Sequence, residues 1–201
     1  MIRMLLADDQ QMLRSALATL LNLEDDIEVA AEAGNGAEAV DLIRLHNPDV
    51  CVLDIEMPVM NGIEVAEKLQ QIGHPCRVII LTTFARAGYF QRALKAGVKG
   101  YLLKDGPSSE LANAIRKVAE GKRVIHPELS LSIWENPNPL TPRETDILRH
   151  AAKGATLKEI GDALYLSHGT VRNYMSEIIA KLEAKNKTDA IRIAQENGWI
   201  S

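Results

Sequence analysis

The sequence predicts two domains of different architecture: a doubly wound α/β domain with a five-stranded parallel sheet, and a smaller all-helical domain after it. Residues 1–121 alternate short apolar runs with helical patterns, which is typical of strands covered on both faces by helices. Residues 137–201 contain helical patterns only. The residues between them, 122–136, interrupt both patterns and predict a linker.

Five apolar runs in the first domain have the length and composition of buried strands. A helical pattern follows each of them, so strands and helices alternate along the chain. Right-handed crossovers between such strands give one parallel sheet with helices on both faces. The predicted strands are Met1–Ala7, Ile27–Ala33, Val50–Leu53, Val78–Leu81 and Gly100–Leu103.

The helices are predicted from apolar residues that recur at helical spacing. After Asp9, for example, Leu13, Leu17 and Leu20 fall on one face. In the second domain, Thr141 offers an N-cap and Pro142 occupies the first helical position, so a helix begins there. Further helical patterns cover residues 157–164, 168–184 and 188–197, with no strand between them.

Composition places the chain among ordinary globular proteins, with 46% apolar and 25% charged residues. No apolar run reaches the length of a membrane span, and two early aspartates interrupt what a signal peptide would need. We therefore expect a cytoplasmic protein. Cys51 and Cys76 lack the spacing of a zinc site or a disulfide framework, which favours buried thiols.

The net charge of −4 is unevenly distributed along the chain. Residues 1–136 carry 14 Lys and Arg against 19 Asp and Glu, a net charge of −5, whereas residues 137–201 carry 9 against 8, a net charge of +1. Because the second domain has so small a positive excess, any binding of nucleic acid requires a locally basic face.

Polar side chains close four of the five predicted strands. They are Asp8 and Asp9 after the first strand, Asp54 after the third, Thr82 after the fourth and Lys104 after the fifth. The carboxyl ends of parallel strands meet at one edge of the sheet, so these residues can converge. Three aspartates would repel one another without a cation, and their hard oxygen ligands favour Mg²⁺. Taken singly, each has a simpler explanation, such as a turn at the Asp-Asp pair.

The combination of these residues is far more specific than any one of them. The run from Asp54 to Gly62 reads DIEMPVMNG, with the acidic pair upstream and Thr82 and Lys104 downstream. This pattern resembles the receiver domain of bacterial response regulators over residues 1–121. The resemblance implies a flavodoxin-like or CheY-like fold.

The resemblance also implies a role for each residue of the pattern. Asp54 corresponds to the phosphoacceptor, and Asp8, Asp9, Asp54 and the backbone carbonyl of Glu56 correspond to the ligands of Mg²⁺. Lys104 and Thr82 would contact the phosphoryl group, and Tyr101 matches the aromatic switch position. The partner implied is a sensor histidine kinase that carries a phosphohistidine.

Two positions bear on how the receiver pattern is applied. Asp105 follows the lysine where many receivers have proline, so no cis prolyl bond can shape that loop. Phe84 and Glu56 occupy positions that control access of water to the acyl phosphate in receivers. From these two residues we expect slow self-dephosphorylation.

The second domain contains a short turn followed by a long amphipathic helix. Val171, Met175 and Ile178 form its buried stripe, while Arg172 and Asn173 lie on the opposite face with side chains suited to base edges in the major groove. The segments that resemble the LuxR/NarL-type helix-turn-helix module are LTPRE, Ile160, Ala163, Leu164, Leu166, Ser167, Thr170-Val171-Arg172, Lys181-Leu182, Lys185-Asn186-Lys187 and Ala190.

This resemblance implies binding to double-stranded DNA through the recognition helix and nearby lysines. A bundle of helices with a polar outer face is the alternative that helical pattern alone would favour. The predicted DNA contacts are Lys158, Ser167, His168, Thr170, Val171, Arg172, Asn173, Ser176, Lys181, Lys185 and Lys187.

The two domains together predict a response regulator of the NarL/LuxR type, a transcription factor switched by phosphorylation of Asp54. Because one weakly basic module should bind DNA weakly, we expect a homodimer on phosphorylation that occupies paired half-sites. Two alternatives remain open: a phosphatase with an aspartyl nucleophile, and a DNA-binding module that works without phosphate.

Three short segments point to a subgroup. Gln10–Leu13, Thr82–Arg86 and Gly88–Phe90 resemble the DesR-like regulators of membrane-lipid desaturation. Regulators of cell-envelope responses share this pattern, so the target genes stay open.

Overall fold

The computed structural model describes residues 1–83, 87–127 and 138–200. Its contacts divide the chain into two compact units, an α/β unit formed by the N-terminal part and a helical unit formed by the C-terminal part. The predicted order of a doubly wound domain followed by an all-helical domain is confirmed. None of the helices in the described ranges combines the length and the apolar character needed to cross a membrane.

The α/β unit alternates strands and helices as the sequence predicts. Its elements are β1 Ile2–Ala7, α1 Gln11–Leu21, β2 Ile27–Ala33, α2 Gly36–His46, β3 Val50–Asp54, α3 Gly62–Gln71, β4 Arg77–Thr82, α4 Ala87–Lys95, β5 Gly100–Leu103, α5 Ser108–Ala119 and β6 Val124–Ile125. All strand pairs are parallel, and the strand order is β2-β1-β3-β4-β5-β6.

The sheet has six strands, so the prediction of five is wrong by one. The additional strand, β6, lies in the segment 122–136 that we assigned to the linker. It is held by backbone hydrogen bonds from Val124 N–H to Lys99 O at 2.9 Å and from His126 N–H to Tyr101 O at 2.9 Å. The two apolar residues between Arg123 and His126 are too few to give a strand pattern, because this strand depends on pairing with β5 rather than on its own sequence.

The strand order places a switch point between β1 and β3. From β1 the chain moves to β2 on one side, and from β3 it continues to β4, β5 and β6 on the other. The connections that follow β1 and β3 therefore run in opposite directions and leave a crevice at the carboxyl ends of these two strands. Asp8 and Asp9 follow β1, and Asp54 ends β3, so the sheet brings them to the two sides of this crevice.

The core of the α/β unit lies on both faces of the sheet. Alternate residues such as Met4, Leu6 and Val52 face a cluster that includes Leu21 of α1 and Ile115 of α5. On the other face, α2 and α3 pack against each other. The four central strands are almost wholly buried, which explains their continuous apolar runs.

The helical unit consists of four helices in the described residues: α6 Pro142–Ala152, α7 Leu157–Leu164, α8 His168–Lys181 and α9 Lys187–Glu196. Each begins at a side chain that caps the helix by accepting a backbone N–H. The caps are Thr141, Thr156, Ser167 and Asn186. Because such caps satisfy amides that have no partner inside the helix, they define where each helix begins.

A buried ion pair joins α6 to α8. The carboxylate of Glu144 is 1% exposed and receives hydrogen bonds from Lys181 Nζ at 2.7 and 2.8 Å. Burial alone would raise the pKa of Glu144, but the contacts with Lys181 and with the N–H and hydroxyl of Thr141 outweigh it and lower the pKa. The charged form is therefore favoured in the folded state.

Glu144→Gln should destabilise the helical unit by about 1–2 kcal/mol at pH 7, because it removes the buried partner of Lys181, whose own side chain is 38% exposed and keeps part of its hydration. Because folding lowers the pKa of Glu144, the ionised carboxylate stabilises the wild-type protein fully at pH values above the ordinary glutamate pKa of about 4.5. This stabilisation is lost as the pH falls through the lower pKa of the folded state. Chemical unfolding of both proteins at pH 7 and below pH 4 would measure the difference.

Glu196→Gln provides the control, since Glu196 pairs with Arg192 on the surface and is 57% exposed. It should change the free energy of unfolding by less than about 0.5 kcal/mol. Equal effects of the two substitutions at pH 7 would contradict a special role of the buried pair.

Candidate functional site

An acidic cluster lies at the crevice between β1 and β3. Asp8, Asp9 and Asp54 each offer a carboxylate oxygen within 4.8 Å of the others. Asp8 is 1% exposed and Asp54 is 4% exposed, while Asp9 is exposed to solvent. The structure therefore brings together the three aspartates that the sequence predicted as one site.

Lys104 bridges the two buried carboxylates of this cluster. Its Nζ lies 2.7 Å from Asp8 Oδ2 and 3.0 Å from Asp54 Oδ2, and its side chain is only 6% exposed. Its backbone N–H donates to Thr82 O at 2.8 Å, which fixes the loop after β5 to the end of β4. Lys104, which follows β5, thus connects the end of that strand to the ends of β1, β3 and β4.

The charges of the cluster do not balance. One ammonium faces three carboxylates, so a net negative charge remains in a largely buried site. Burial raises the pKa of Asp54 above its ordinary value, although the hydrogen bond and charge of Lys104 partly oppose this. Burial by itself would lower the pKa of Lys104, but its two carboxylate partners raise it. Further positive charge at the cluster would stabilise ionised Asp54.

Backbone groups orient the two buried carboxylates. The N–H of Gln10 donates to Asp8 Oδ1 at 2.9 Å, and the backbone of Glu56 hydrogen-bonds to the Asp54 carboxylate. The Arg14 guanidinium donates to the backbone oxygen of Asp8 and lies 3.4 Å from Glu32. Sequence reasoning missed Arg14, because a single arginine on a helix gives no signal of a contact with the preceding loop.

The loop from Asp54 to α3 is held by a close backbone contact. A Cβ atom at Gly62 would lie 2.2 Å from Asp54 O, so only glycine fits there. Asn61 caps α3, and the side chain of Glu64 accepts the backbone N–H of Asn61 at 2.9 Å. This capping box could have been read from the Asn-x-x-Glu spacing in the sequence.

Thr82 ends β4, the strand next to that of Asp54, and Tyr101 lies on β5, one strand further along the sheet. Asp54 pairs with Leu81 in the register of β3 and β4, and the next residue, Thr82, is 3% exposed. Tyr101 is 2% exposed and makes an edge-to-face contact with Phe90, with ring centroids 5.1 Å apart. Phe84, one of the two residues behind the expected slow dephosphorylation, lies outside the described residues.

The exposed face of α8 carries most of the residues predicted to contact DNA. Among them, His168, Arg172, Asn173 and Ser176 are exposed, and the hydroxyl of Ser167 caps the helix. Thr170 is half-buried beside this cap, with its hydroxyl 2.8 Å from that of Ser167.

Three other predicted DNA contacts, Val171, Lys181 and Lys187, are buried or bonded within the helical unit. Val171 is 0% exposed in the core of the helical unit, so its assignment as a DNA contact is corrected. Its β-branched side chain belongs to the buried stripe of α8. The ammonium of Lys181 is held by Glu144, and that of Lys187 donates to Ala155 O at 3.3 Å. By contrast, Lys158 and Lys185 are exposed.

A buried lysine between aspartates at the switch point of a parallel sheet, followed by a capped helix-turn-helix unit, defines a receiver domain joined to a DNA-binding domain. Residues 4–116 match the model of the response regulator receiver domain. Residues 138–194 match that of the bacterial regulatory proteins of the luxR family.

Full-length relatives show the same two-domain organisation. YvfU of Bacillus subtilis (strain 168), an uncharacterized transcriptional regulatory protein, is 58% identical over 200 residues. The match spans 100% of this chain and 100% of YvfU. The transcriptional regulatory protein DesR of the same strain is 56% identical with the same coverage. A crystal structure of ChrA, a response regulator of a heme-sensing two-component system, is 35% identical, with a TM-score of 0.59 and coverage of 99% of this chain and 98% of that one.

This chain belongs to the NarL/LuxR-type response regulators, which are DNA-binding transcriptional regulators with a receiver domain. The expected resemblance to the DesR-like subgroup is confirmed. Since its relatives are transcriptional regulatory proteins, the regulator is favoured over the phosphatase.

Val59→Gly should stabilise the α/β unit by about 0.5–1 kcal/mol. Val59 has φ 68°, in the left-handed region that β-branched residues avoid, and its side chain is 85% exposed, so little packing is lost. Thermal or urea unfolding of the two proteins would measure the gain.

Asn47→Gly is the matched control, because Asn47 also has positive φ, 44°, but asparagine tolerates this conformation. Its effect should stay within about 0.5 kcal/mol. If Val59→Gly lowered the stability instead, the conformation of Val59 would not be a source of strain.

Proposed function

We propose that phosphorylation of Asp54 by a sensor histidine kinase switches the DNA binding of this response regulator. The observation that supports this most is Lys104, held 2.7 Å from Asp8 and 3.0 Å from Asp54 at the switch point of the sheet. A buried cation fixed beside one carboxylate is suited to hold a phosphoryl group that arrives at that carboxylate. The protein would act in the cytoplasm, with access to DNA.

We propose Mg²⁺ as the cofactor of this site. The donor set fits, since hard carboxylate oxygens of Asp8, Asp9 and Asp54 lie within 4.8 Å of one another and carry more negative charge than Lys104 offsets. The backbone carbonyl of Glu56 would complete the set. When bound, Mg²⁺ would neutralise charge on the oxygens of the transferring phosphoryl group.

The chemistry assigned to Asp54 is nucleophilic attack on phosphorus. A carboxylate oxygen of Asp54 forms a new P–O bond while the P–N bond of the phosphohistidine breaks, and the leaving imidazole nitrogen takes up a proton. Lys104 Nζ then holds a phosphoryl oxygen, and the hydroxyl of Thr82 donates to another. The burial of Asp54 excludes bulk water and strengthens these contacts.

Thr82 and Tyr101 form the proposed switch. When the Thr82 hydroxyl moves towards the phosphoryl group, it leaves a space at the end of β4. A rearrangement of the Tyr101 side chain can fill this space, since Tyr101 of β5 lies opposite Ile80 of β4. The edge contact between Tyr101 and Phe90 is the packing that such a rearrangement would break or reform.

We propose that the phosphorylated protein dimerises and binds paired half-sites. The helical domain has a net charge of only +1, and Lys181 is committed to Glu144, so few cations remain for phosphates. Two linked modules bind far more tightly than one when the spacing fits. The proposed DNA contacts are Lys158, Ser167, His168, Thr170, Arg172, Asn173, Ser176, Lys185 and Lys187.

The domain boundaries complete the proposal. We assign residues 1–121 to the receiver, 122–136 to the linker and 137–201 to the DNA-binding domain. The pairing of β6 with β5 argues for extending the first of these to residue 125.

Wild type incubated with Mg²⁺ and a small phosphodonor should gain the mass of one phosphoryl group and become a dimer, whereas Asp54→Ala should do neither. The acceptor carboxylate is absent in the variant, so no acyl phosphate can form. Intact-mass spectrometry and light scattering would measure the two properties on the same samples.

Asp41→Ala is the control, since Asp41 is an exposed carboxylate on α2 and should leave both properties unchanged. Equal phosphorylation of Asp54→Ala and wild type would contradict the acceptor. A phosphorylated wild type that stays monomeric at concentrations that bind DNA would contradict the dimer. DNA binding that does not respond to the phosphodonor would support the phosphate-independent alternative.

The test uses a DNA duplex that the wild-type protein selects from random sequence. Arg172→Ala should weaken binding to this duplex by about tenfold, because it removes the proposed base contact. Lys158→Ala should instead reduce the slope of log affinity against log salt by about 1, as expected for one phosphate contact. Lys153→Ala, at an exposed lysine outside the proposed set, is the control and should alter neither quantity. An unchanged affinity of both test variants would contradict the proposed DNA face.

A further inference from the structure

Tyr165 is the most exposed large apolar side chain among the described residues, at 96%. It lies in the turn between α7 and α8 and takes no part in the core of the helical unit. An aromatic side chain gains nothing for folding from such a position, because its apolar surface stays in water. Its presence there therefore requires another explanation.

The backbone at Tyr165 adds to this cost. Tyr165 has φ 56° and ψ 46°, the left-handed conformation in which helices commonly end at glycine or asparagine. A side chain other than these two costs folding free energy at such a position. For stability alone, glycine would serve better than tyrosine.

The turn that carries Tyr165 is held firmly on both sides. The N–H groups of Tyr165 and Leu166 both donate to Gly161 O, the second at 2.9 Å. The guanidinium of Arg143 donates to Leu164 O at 2.6 Å. A fixed turn displays the tyrosine in one place, so little conformational freedom of the backbone is lost when the side chain binds a partner.

The surface around Tyr165 favours DNA as that partner. Tyr165 stands two residues before Ser167, which caps α8, and the first turn of α8 contains no acidic residue. His168 and Arg172 are exposed on the same helix. Tyr165 therefore adjoins the face that we assigned to DNA.

We propose that Tyr165 contacts the DNA backbone, with its phenolic hydroxyl donating a hydrogen bond to a phosphate oxygen beside the groove that α8 enters. This inference rests on the proposed DNA face. Tyr165 would fix the position of the helix on the duplex without reading sequence, as phosphate contacts do.

Tyr165→Phe tests the hydroxyl in the full-length, phosphodonor-treated protein. The probes are the selected duplex described above and a mixed-sequence duplex of the same length. We expect affinity to fall by about fivefold on both, because a phosphate contact acts on all sequences alike. The salt slope should not change, since a neutral hydroxyl releases no counterion. A structural disturbance of the neighbouring cations would alter that slope.

Tyr165→Gly separates binding from folding. It should raise the melting temperature of the helical unit by about 3 °C while it weakens DNA binding at least as much as Tyr165→Phe does. Glu183→Gly is the matched control, because Glu183 is exposed and also has positive φ, 50°. It should raise the melting temperature without any loss of affinity.

Unchanged DNA affinity of both Tyr165 variants would overturn the proposal and point to a protein partner at this turn. A loss confined to the selected duplex would also overturn it, since that is the signature of base contact. Arg172→Ala distinguishes failure of the role proposed for Tyr165 from failure of the proposed DNA face as a whole. If it weakens binding while the Tyr165 variants do not, only the role of Tyr165 fails, and if it too has no effect, the proposed DNA face fails.

Discussion

The ammonium of Lys104 between the carboxylates of Asp8 and Asp54 is the interaction on which the receiver depends. It joins residues that are far apart in sequence but close at the ends of β1, β3 and β5. One cation cannot neutralise three carboxylates, so the folded site keeps a net negative charge. Ion pairs of this kind stabilise folds weakly, because desolvation of the charges offsets much of their attraction. The charge imbalance would serve the binding of a cation and a phosphoryl group that we propose for this site.

The surrounding backbone has little freedom to adapt. Gly62 approaches Asp54 O so closely that a Cβ would lie 2.2 Å from it, and the backbone of Glu56 hydrogen-bonds to the Asp54 carboxylate. At the same loop, Val59 occupies a left-handed conformation that valine disfavours. Functional loops often retain local strain because the rest of the fold supplies the stability. A response to the proposed phosphorylation would then fall to β4 and β5, where Thr82 and Tyr101 lie.

The sequence was sufficient to predict the features that depend on pattern along the chain. Asp8, Asp54 and Lys104 each end an apolar run, and the rule that parallel strands align their carboxyl ends places them together. Features that depend on a partner elsewhere could not be read in this way. The two residues of β6 form a strand only because β5 offers an edge. Likewise, the ion pair of Lys181 with Glu144 gives no signal in the sequence, because the two residues are 37 positions apart.

The ion pairs of the helical unit bear directly on how the regulator would be switched. Several of its basic side chains are paired internally: Lys181 with Glu144, Arg149 with Asp146, and Arg192 with Asp189 and Glu196. These pairs orient helices and caps, but they reduce the charge left for DNA phosphates, which supply most of the affinity of such modules. Because these cations are paired within the fold, we expect a single module to bind DNA weakly. Weak binding by a single module would let the proposed dimerisation control occupancy, because the second module would then bind at a high effective concentration.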